Sequence, residues 1–313
     1  MIVRDRPSGF RLFLLLRGSV LPRILPALII NIFIATLVTL SHGDLFELKI
    51  TLTTIPFTLI GLPISIFLGF RNNAAYDRFW EARKLWGELL LRSRNLSRQC
   101  QSLIDYPDPA VASNGFNDIR VRMVFRSIAY CHALRDLLRN QEIKSEMQQW
   151  LKPDEMHQLT KARNKPDLLM LNMGKDLRQS LKENRIDGCL AANLDATLSA
   201  ITAAGAACER IRNTPIPFSY TLLLHRTAYI YCFLLPFGLV DSIGFMTPFV
   251  VAIVAYTFFG LDALGDEIEE PFGLETNDLP LDAICRTIEI ELRESLQDSE
   301  IPEALIPINY CLT

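Results

Sequence analysis

The chain has 313 residues, half of them apolar and 21% charged, with a formal net charge of −3. The length corresponds to about two average domains, and a mean hydropathy of +0.19 beside an ordinary charge content requires very apolar stretches set among polar ones. These figures exclude a disordered chain, which needs low hydropathy and high net charge, and a disulfide-stapled mini-protein, since the seven Cys have no repeated spacing; they speak against a nucleic-acid binder.

Residues 1–23 form an N-terminal segment that carries Arg4, Arg6, Arg11, Arg17 and Arg23. Residues 24–41 follow without a charge. A second uncharged run covers residues 50–70. A helix rises about 1.5 Å per residue, so about 20 residues cross a hydrocarbon core of about 30 Å. The first run is too long for the apolar region of a signal peptide, and no clear cleavage site follows it. The link between the runs carries Lys49 beside His42, Asp44 and Glu47. Arg71, Arg78, Arg83, Lys84, Arg92, Arg94 and Arg98 come directly after the second run.

Residues 71–213 read as a helical region with 23 basic and 17 acidic side chains, a net of +6. Val121, Val124, Ile128, Cys131, Leu134 and Leu138 recur at spacings of three and four, as do Leu194, Leu198, Ile201, Gly205 and Cys208. Ala200, Ala203, Ala204, Ala206 and Ala207 surround the second stripe and permit close helix approach. The stripe is read as the core face of a bundle, with an oligomer contact as the alternative. Tyr106 to Pro109 and then Asn114-Gly115 read as a loop, and Pro153 and Pro166 frame a second break.

A third apolar region, residues 214–240, is interrupted only by His225-Arg226, and a fourth, residues 242–261, has no charge. A core helix of a soluble protein seldom lacks charge for 20 residues, so all four regions read as membrane spans. Basic residues flank the first hairpin on its outer ends. The positive-inside bias therefore puts both termini and the middle region in the cytoplasm, with the free thiols in a reducing compartment. His225 and Arg226 read either as a pore or partner site or as an interface or inter-helix anchor, the second being preferred. From Gly265 onward there are 13 acids and two bases, a net of −11. This tail either wraps the basic region of its own or a neighbouring chain or is solvated, and Pro280, Pro302 and Pro307 make part of it extended.

Site chemistry is sparse. The sequence has no P-loop, G-x-G-x-x-G, H-E-x-x-H or G-x-S-x-G pattern, no C-x-x-C, and four His without metal-like spacing. No catalytic residue, metal ligand or cofactor is assigned, and the chain is not read as an enzyme.

The end of the second run is distinctive. It continues without a breaker into a polar, aromatic-rich stretch, FLGFRNNAAYDRFWEARKLWG at residues 67–87. This stretch, with CERI at 208–211, TPIPFSYT at 214–221, and EPFG at 270–273 followed by ETND at 275–278, resembles the bacterial branch of the bestrophin family of ion channels. The resemblance covers nearly the whole chain in order. It implies an all-α fold with four transmembrane helices per chain and a large helical cytoplasmic region, assembled as a homopentamer around one pore in the inner membrane. The expected divisions are 1–23, the hairpin 24–70, the cytoplasmic region 71–213, the hairpin 214–262 and the tail 263–313. The second run continues into the cytoplasmic region as one helix, which favours a single through-going unit over two separable domains.

In that family the second membrane helix lines an apolar neck. The matching positions are Leu62, Ile66 and Phe70, whose spacing of four puts them on one helix face. Nearly every residue here is apolar, so spacing alone does not single them out; the resemblance selects them. A cytoplasmic aperture, placed by ungapped counting back from residues 208–211, falls at Cys189. Animal members carry a run of acids after the Pro-Phe-Gly motif that forms a calcium clasp. Here Gly273 is followed by Leu274-Glu275-Thr276, so that run is missing, and Asp266, Glu267, Glu269 and Glu270 lie before the motif. The expected partners are four further copies of the chain, the lipid bilayer and permeant monovalent ions, cations favoured and anions such as chloride the other choice. Alternatives are a secondary transporter, which would show internal repeats and polar midplane sites, and a membrane-anchored scaffold.

Overall fold

The computed structural model of the chain describes residues 1–4, 9, 15–16, 18–42 and 52–313, and the backbone alone at 44–45 and 48–49. Arg6, Arg11, Arg17 and Glu47, and the side chains of Asp44 and Lys49, lie outside the described residues. The described chain is built of α-helices: α1 (Leu21–Leu40), α2 (Thr54–Leu103), α3 (Ile119–Leu138), α4 (Pro153–Lys161), α5 (Lys165–Lys182), α6 (Gly188–Asn213), α7 (Phe218–Ile243), α8 (Thr247–Glu269) and α9 (Leu281–Ser295). A minimal antiparallel hairpin, β1 (Asp44–Leu45) with β2 (Leu48–Lys49), separates α1 from α2. Three stretches, Leu21–Leu40, Thr54–Leu103 and Phe218–Glu269, are long and apolar enough to cross a membrane. The last is broken at Gly244–Met246, where Gly244 takes a φ of +52° that a side chain would strain, and so it comprises α7 and α8.

The chain divides into two compact units. The apolar unit comprises Arg4–Phe79 and Pro215–Pro271; the polar unit comprises Met1–Val3, Trp80–Thr214 and Phe272–Thr313. Helix α2 supplies residues to both.

In the apolar unit α1, α7 and α8 pack on one another around Ile24, Leu28, Cys232, Ala255, Phe259 and Ala263. A second cluster joins Ala35, Phe57, Leu235 and Val251. Tyr229 and Phe259 stack with ring centroids 4.3 Å apart. On the outer faces of these apolar helices a hydroxyl bonds to the carbonyl one turn back, so that it meets its surroundings with its donor satisfied. Thr36 donates to Ile32 O at 2.8 Å, Ser65 to Gly61 O at 2.8 Å and Thr257 to Ile253 O at 2.9 Å.

In the polar unit α3 is the central helix, buried on every side. Its expected stripe of Val121, Val124, Ile128, Cys131, Leu134 and Leu138 is buried, but so are Arg120, Arg122, Arg126 and Arg135 on its other faces. Each of these guanidiniums has a partner, as burial demands. Arg122 meets Asp176 of α5 at 2.8 Å, and Arg126 meets Glu155 of α4 at 2.6 Å and Asp176. Arg135 and Arg139 converge on Asp282 of α9, at 2.9 and 2.5 Å. Burial opposes ionisation of Asp282, but the bond from Arg139 and the nearby positive charges hold its carboxyl below the usual range. Three helices of this unit have side-chain N-caps: Asp118 accepts from Arg120 N, Asn164 from Asp167 N and Asp187 from Cys189 N.

Pro153 and Pro166 each sit in the first turn of a helix, where the missing N–H costs nothing, and the chain breaks just before each, at 150–152 and 162–164, with α4 between the two prolines. Within the acidic tail residues 281–295 form α9, which buries Leu281, Cys285, Ile288 and Leu292 against the same chain. The tail runs without a helix at 270–280 and again from Leu296 onward.

The α6 stripe of Leu194, Leu198, Ile201, Gly205 and Cys208 is buried as a core face, while Ala203 and Ala206 are exposed. A Cβ at Gly205 would run into the Tyr130 hydroxyl and touch Leu134. Gly205→Ala should therefore destabilise the protein by about 1–3 kcal/mol despite its better helix propensity. Tyr130→Phe removes the obstructing oxygen, so the double variant should melt above Gly205→Ala alone in thermal unfolding; equal midpoints would refute the close approach.

Candidate functional site

Helix α2 has two faces within the apolar unit. Ile64, Leu68, Arg71 and Ala75, at spacings of four, three and four, are buried. At about 100° per residue the opposite side carries Leu62, Ile66 and Phe70. These three are 65%, 47% and 61% exposed in the protomer. On a helix long and apolar enough to cross a membrane such a face meets lipid or another subunit rather than water. Thus the expected neck residues share one outward face, and Ile66 stands roughly opposite the buried side. Cys189 is exposed in the first turn of α6 and belongs to the polar unit.

The setting of α2 is held by a buried ion cluster that the sequence reading missed. The Arg71 side chain is completely buried. Its Nη1 donates to Asp262 Oδ1 at 2.8 Å, its Nη2 pairs with Asp266, and Glu269 lies 3.8 Å away. Asn72 adds a hydrogen bond to Leu261 O at 3.0 Å. His225 Nδ1 lies 2.6 Å from Asp262 Oδ2 and its ring lies 4.3 Å from that of Tyr229. His225 therefore joins α7 to α8, while Arg226 beside it is exposed. The signal for this cluster was present: Asp262, Asp266 and Glu269 stand at i, i+4 and i+7, one face of a helix, directly after the fourth apolar run.

Gly265 lies at this junction, where a Cβ would strike the Asn72 amide and crowd the Arg71 guanidinium. In the polar unit Phe272 of the Pro-Phe-Gly motif is buried, and its carbonyl accepts from Arg139 Nε at 3.2 Å. Asp278 is also buried and its Oδ2 accepts from Glu275 N at 2.7 Å. Among the described residues no group of three or more His, Cys, Asp or Glu side chains is arranged to hold a metal ion. Burial pushes the thiols of Cys100, Cys131 and Cys208 up to about 12, which makes them inert packing groups.

Removing one member of the buried cluster leaves an unpaired charge, at a cost of about 3–5 kcal/mol. Arg71→Gln should lower the thermal midpoint in detergent sharply, and Arg71→Leu combined with Asp262→Leu should recover part of the loss. A single variant that melts with the wild type would contradict the role given to Arg71.

The chain is similar along most of its length to known proteins. A family model described as the bacterial and fungal bestrophin protein matches residues 1–294. A protein of Mesorhizobium japonicum named as a voltage-dependent anion channel-forming protein is 44% identical over 308 residues, covering 98% of this chain and 95% of its own length. One of the same name from Escherichia coli strain K12 is 41% identical over 308 residues, covering 98% of each chain. A crystal structure of a bacterial bestrophin homologue from Klebsiella pneumoniae is similar with a TM-score of 0.81 and 34% identity, covering 88% of this chain and 100% of that one.

Proposed function

Because the chain belongs to the bacterial and fungal bestrophin family, we propose that it is the subunit of a homopentameric ion channel of the bacterial inner membrane. In this reading α1, the first part of α2, α7 and α8 are the four spans, both termini are cytoplasmic, and residues 71–213 with the tail form the cytoplasmic region. Five α2 helices surround the pore, and Leu62, Ile66 and Phe70 form three stacked apolar rings that gate by dewetting. Cys189 forms a second constriction at the cytoplasmic end, with a side chain smaller and more polarizable than a branched aliphatic one.

The observation that carries the reading is the outward face of α2. A buried opposite face and the Arg71 cluster fix it, and it presents large apolar side chains in line. The transporter alternative has little support: Phe67-Leu68-Gly69-Phe70 and Phe258-Phe259-Gly260-Leu261 echo each other, but the chain shows no wider internal repeat. The sign of the permeant ion has two readings. The names of the relatives point to anions. The −11 tail favours cations, the +6 middle region opposes them, and apolar rings choose neither.

Purified protein in planar bilayers should give single-channel steps, and a saturable, stepless flux would remove the channel reading. Ile66→Ala or Phe70→Ala should raise the unitary conductance by widening the neck. Wild-type conductance in both variants would take these residues out of the pore.

A further inference from the structure

The outward face of α2 does not end at Phe70. Seven residues make nearly two whole turns, so Asp77 points within about 20° of the direction of Phe70 and about 10 Å further along the axis. Asn73 lies between them on the same side. Both are exposed in the protomer, and the helix is unbroken through them. The face thus changes from apolar to polar and then to charged without turning toward the buried side, where Ala75 continues the packed stripe.

Asp77 differs from the other acids of this junction. Asp262, Asp266 and Glu269 are drawn to Arg71. Arg78, the next residue, turns away and gives its Nε to Glu269 O at 3.2 Å. In the polar unit Glu81 is paired with Arg210 at 2.6 Å, and Lys84 lies over the Trp80 ring, 5.6 Å from its centroid. Asp77 forms no hydrogen bond or ion pair among the described residues. An unneutralised carboxylate does not favour a lipid-facing surface. It is stable on a water-filled path, and it is well placed to act on ions there.

We infer that Asp77 is the charge-selecting residue of the channel: five copies form a carboxylate ring at the mouth of the apolar neck. This rests on the reading of Leu62, Ile66 and Phe70 as the neck. Five negative charges about one Debye length from the constriction concentrate cations and deplete anions where dewetting already limits entry. The apolar rings then control whether ions pass, and Asp77 controls which sign does. The ring takes monovalent cations as hydrated ions rather than through a dehydrating cage, because each subunit offers one carboxylate and no converging oxygens.

The test is the reversal potential of single channels under a KCl gradient. The wild type should reverse on the cation side. Asp77→Asn, isosteric at an exposed position, should lower the cation-to-anion permeability ratio by about threefold or more, and Asp77→Lys should move reversal to the anion side. A ratio unchanged in Asp77→Asn, in channels that still open in steps, would overturn the proposal whichever sign the wild type prefers. Ile66→Ala in the same bilayers separates the two readings. If it leaves conductance unchanged while Asp77→Lys still reverses the sign, the carboxylate stays in the ion path and the neck does not. If it raises conductance while both Asp77 variants keep the wild-type ratio, the neck stands and Asp77 is not the selector.

Discussion

A guanidinium buried among apolar helices must be paired, and Arg71 meets that demand at one rotation of α2 only. With Arg71 on Asp262 and Asp266 of α8, Ile64, Leu68 and Ala75 turn inward by helical geometry alone. Leu62, Ile66, Phe70 and Asp77 then turn outward. The ion cluster therefore does more than stabilise the junction: it selects which side chains of a nearly all-apolar helix are presented to whatever lies outside the protomer. His225 supports the same Asp262 from α7, so three helices share one carboxylate.

The polar unit applies the same rule. Helix α3 is surrounded by other helices and still carries Arg122, Arg126 and Arg135. Each is matched by an acid from a different helix: Asp176 on α5, Glu155 on α4 and Asp282 on α9. Buried pairs of this kind add little net stability over apolar packing but penalise any arrangement that separates them. They specify where α4, α5 and α9 sit around α3. In the proposed channel, such a rigid unit suits a cytoplasmic wall whose width must not drift.

Much of the architecture was legible in the sequence because it follows from periodicity. The uncharged runs became α1, α2, α7 and α8, and the second run did continue as one helix well beyond its apolar part. The stripes on α3 and α6 were readable as core faces for the same reason. What escaped was pairing between distant residues. Asp262 stands one position outside the fourth apolar run, so a search for charges within that run passed over it. The helix of the tail was hidden by its prolines, although Leu281, Cys285, Ile288 and Leu292 repeat at helical spacing. Pro153 and Pro166 pointed to breaks in the chain but not to the short helix α4 between them, because a proline in a first turn and a proline in a loop look alike in sequence. The neck face could not be chosen by pattern at all, since every face of an all-apolar helix looks the same until one of them is buried.

In the proposed channel one face of α2 meets the ion path and the other does not, and cysteine accessibility distinguishes the two faces. In a Cys189→Ser background, Ile66→Cys and Ile64→Cys channels would be exposed to a small charged methanethiosulfonate while current is recorded. The current through Ile66→Cys channels should change rapidly and lastingly, and that through Ile64→Cys channels should not change. Modification of Ile64→Cys, or an inert Ile66→Cys in open channels, would contradict this assignment of the two faces.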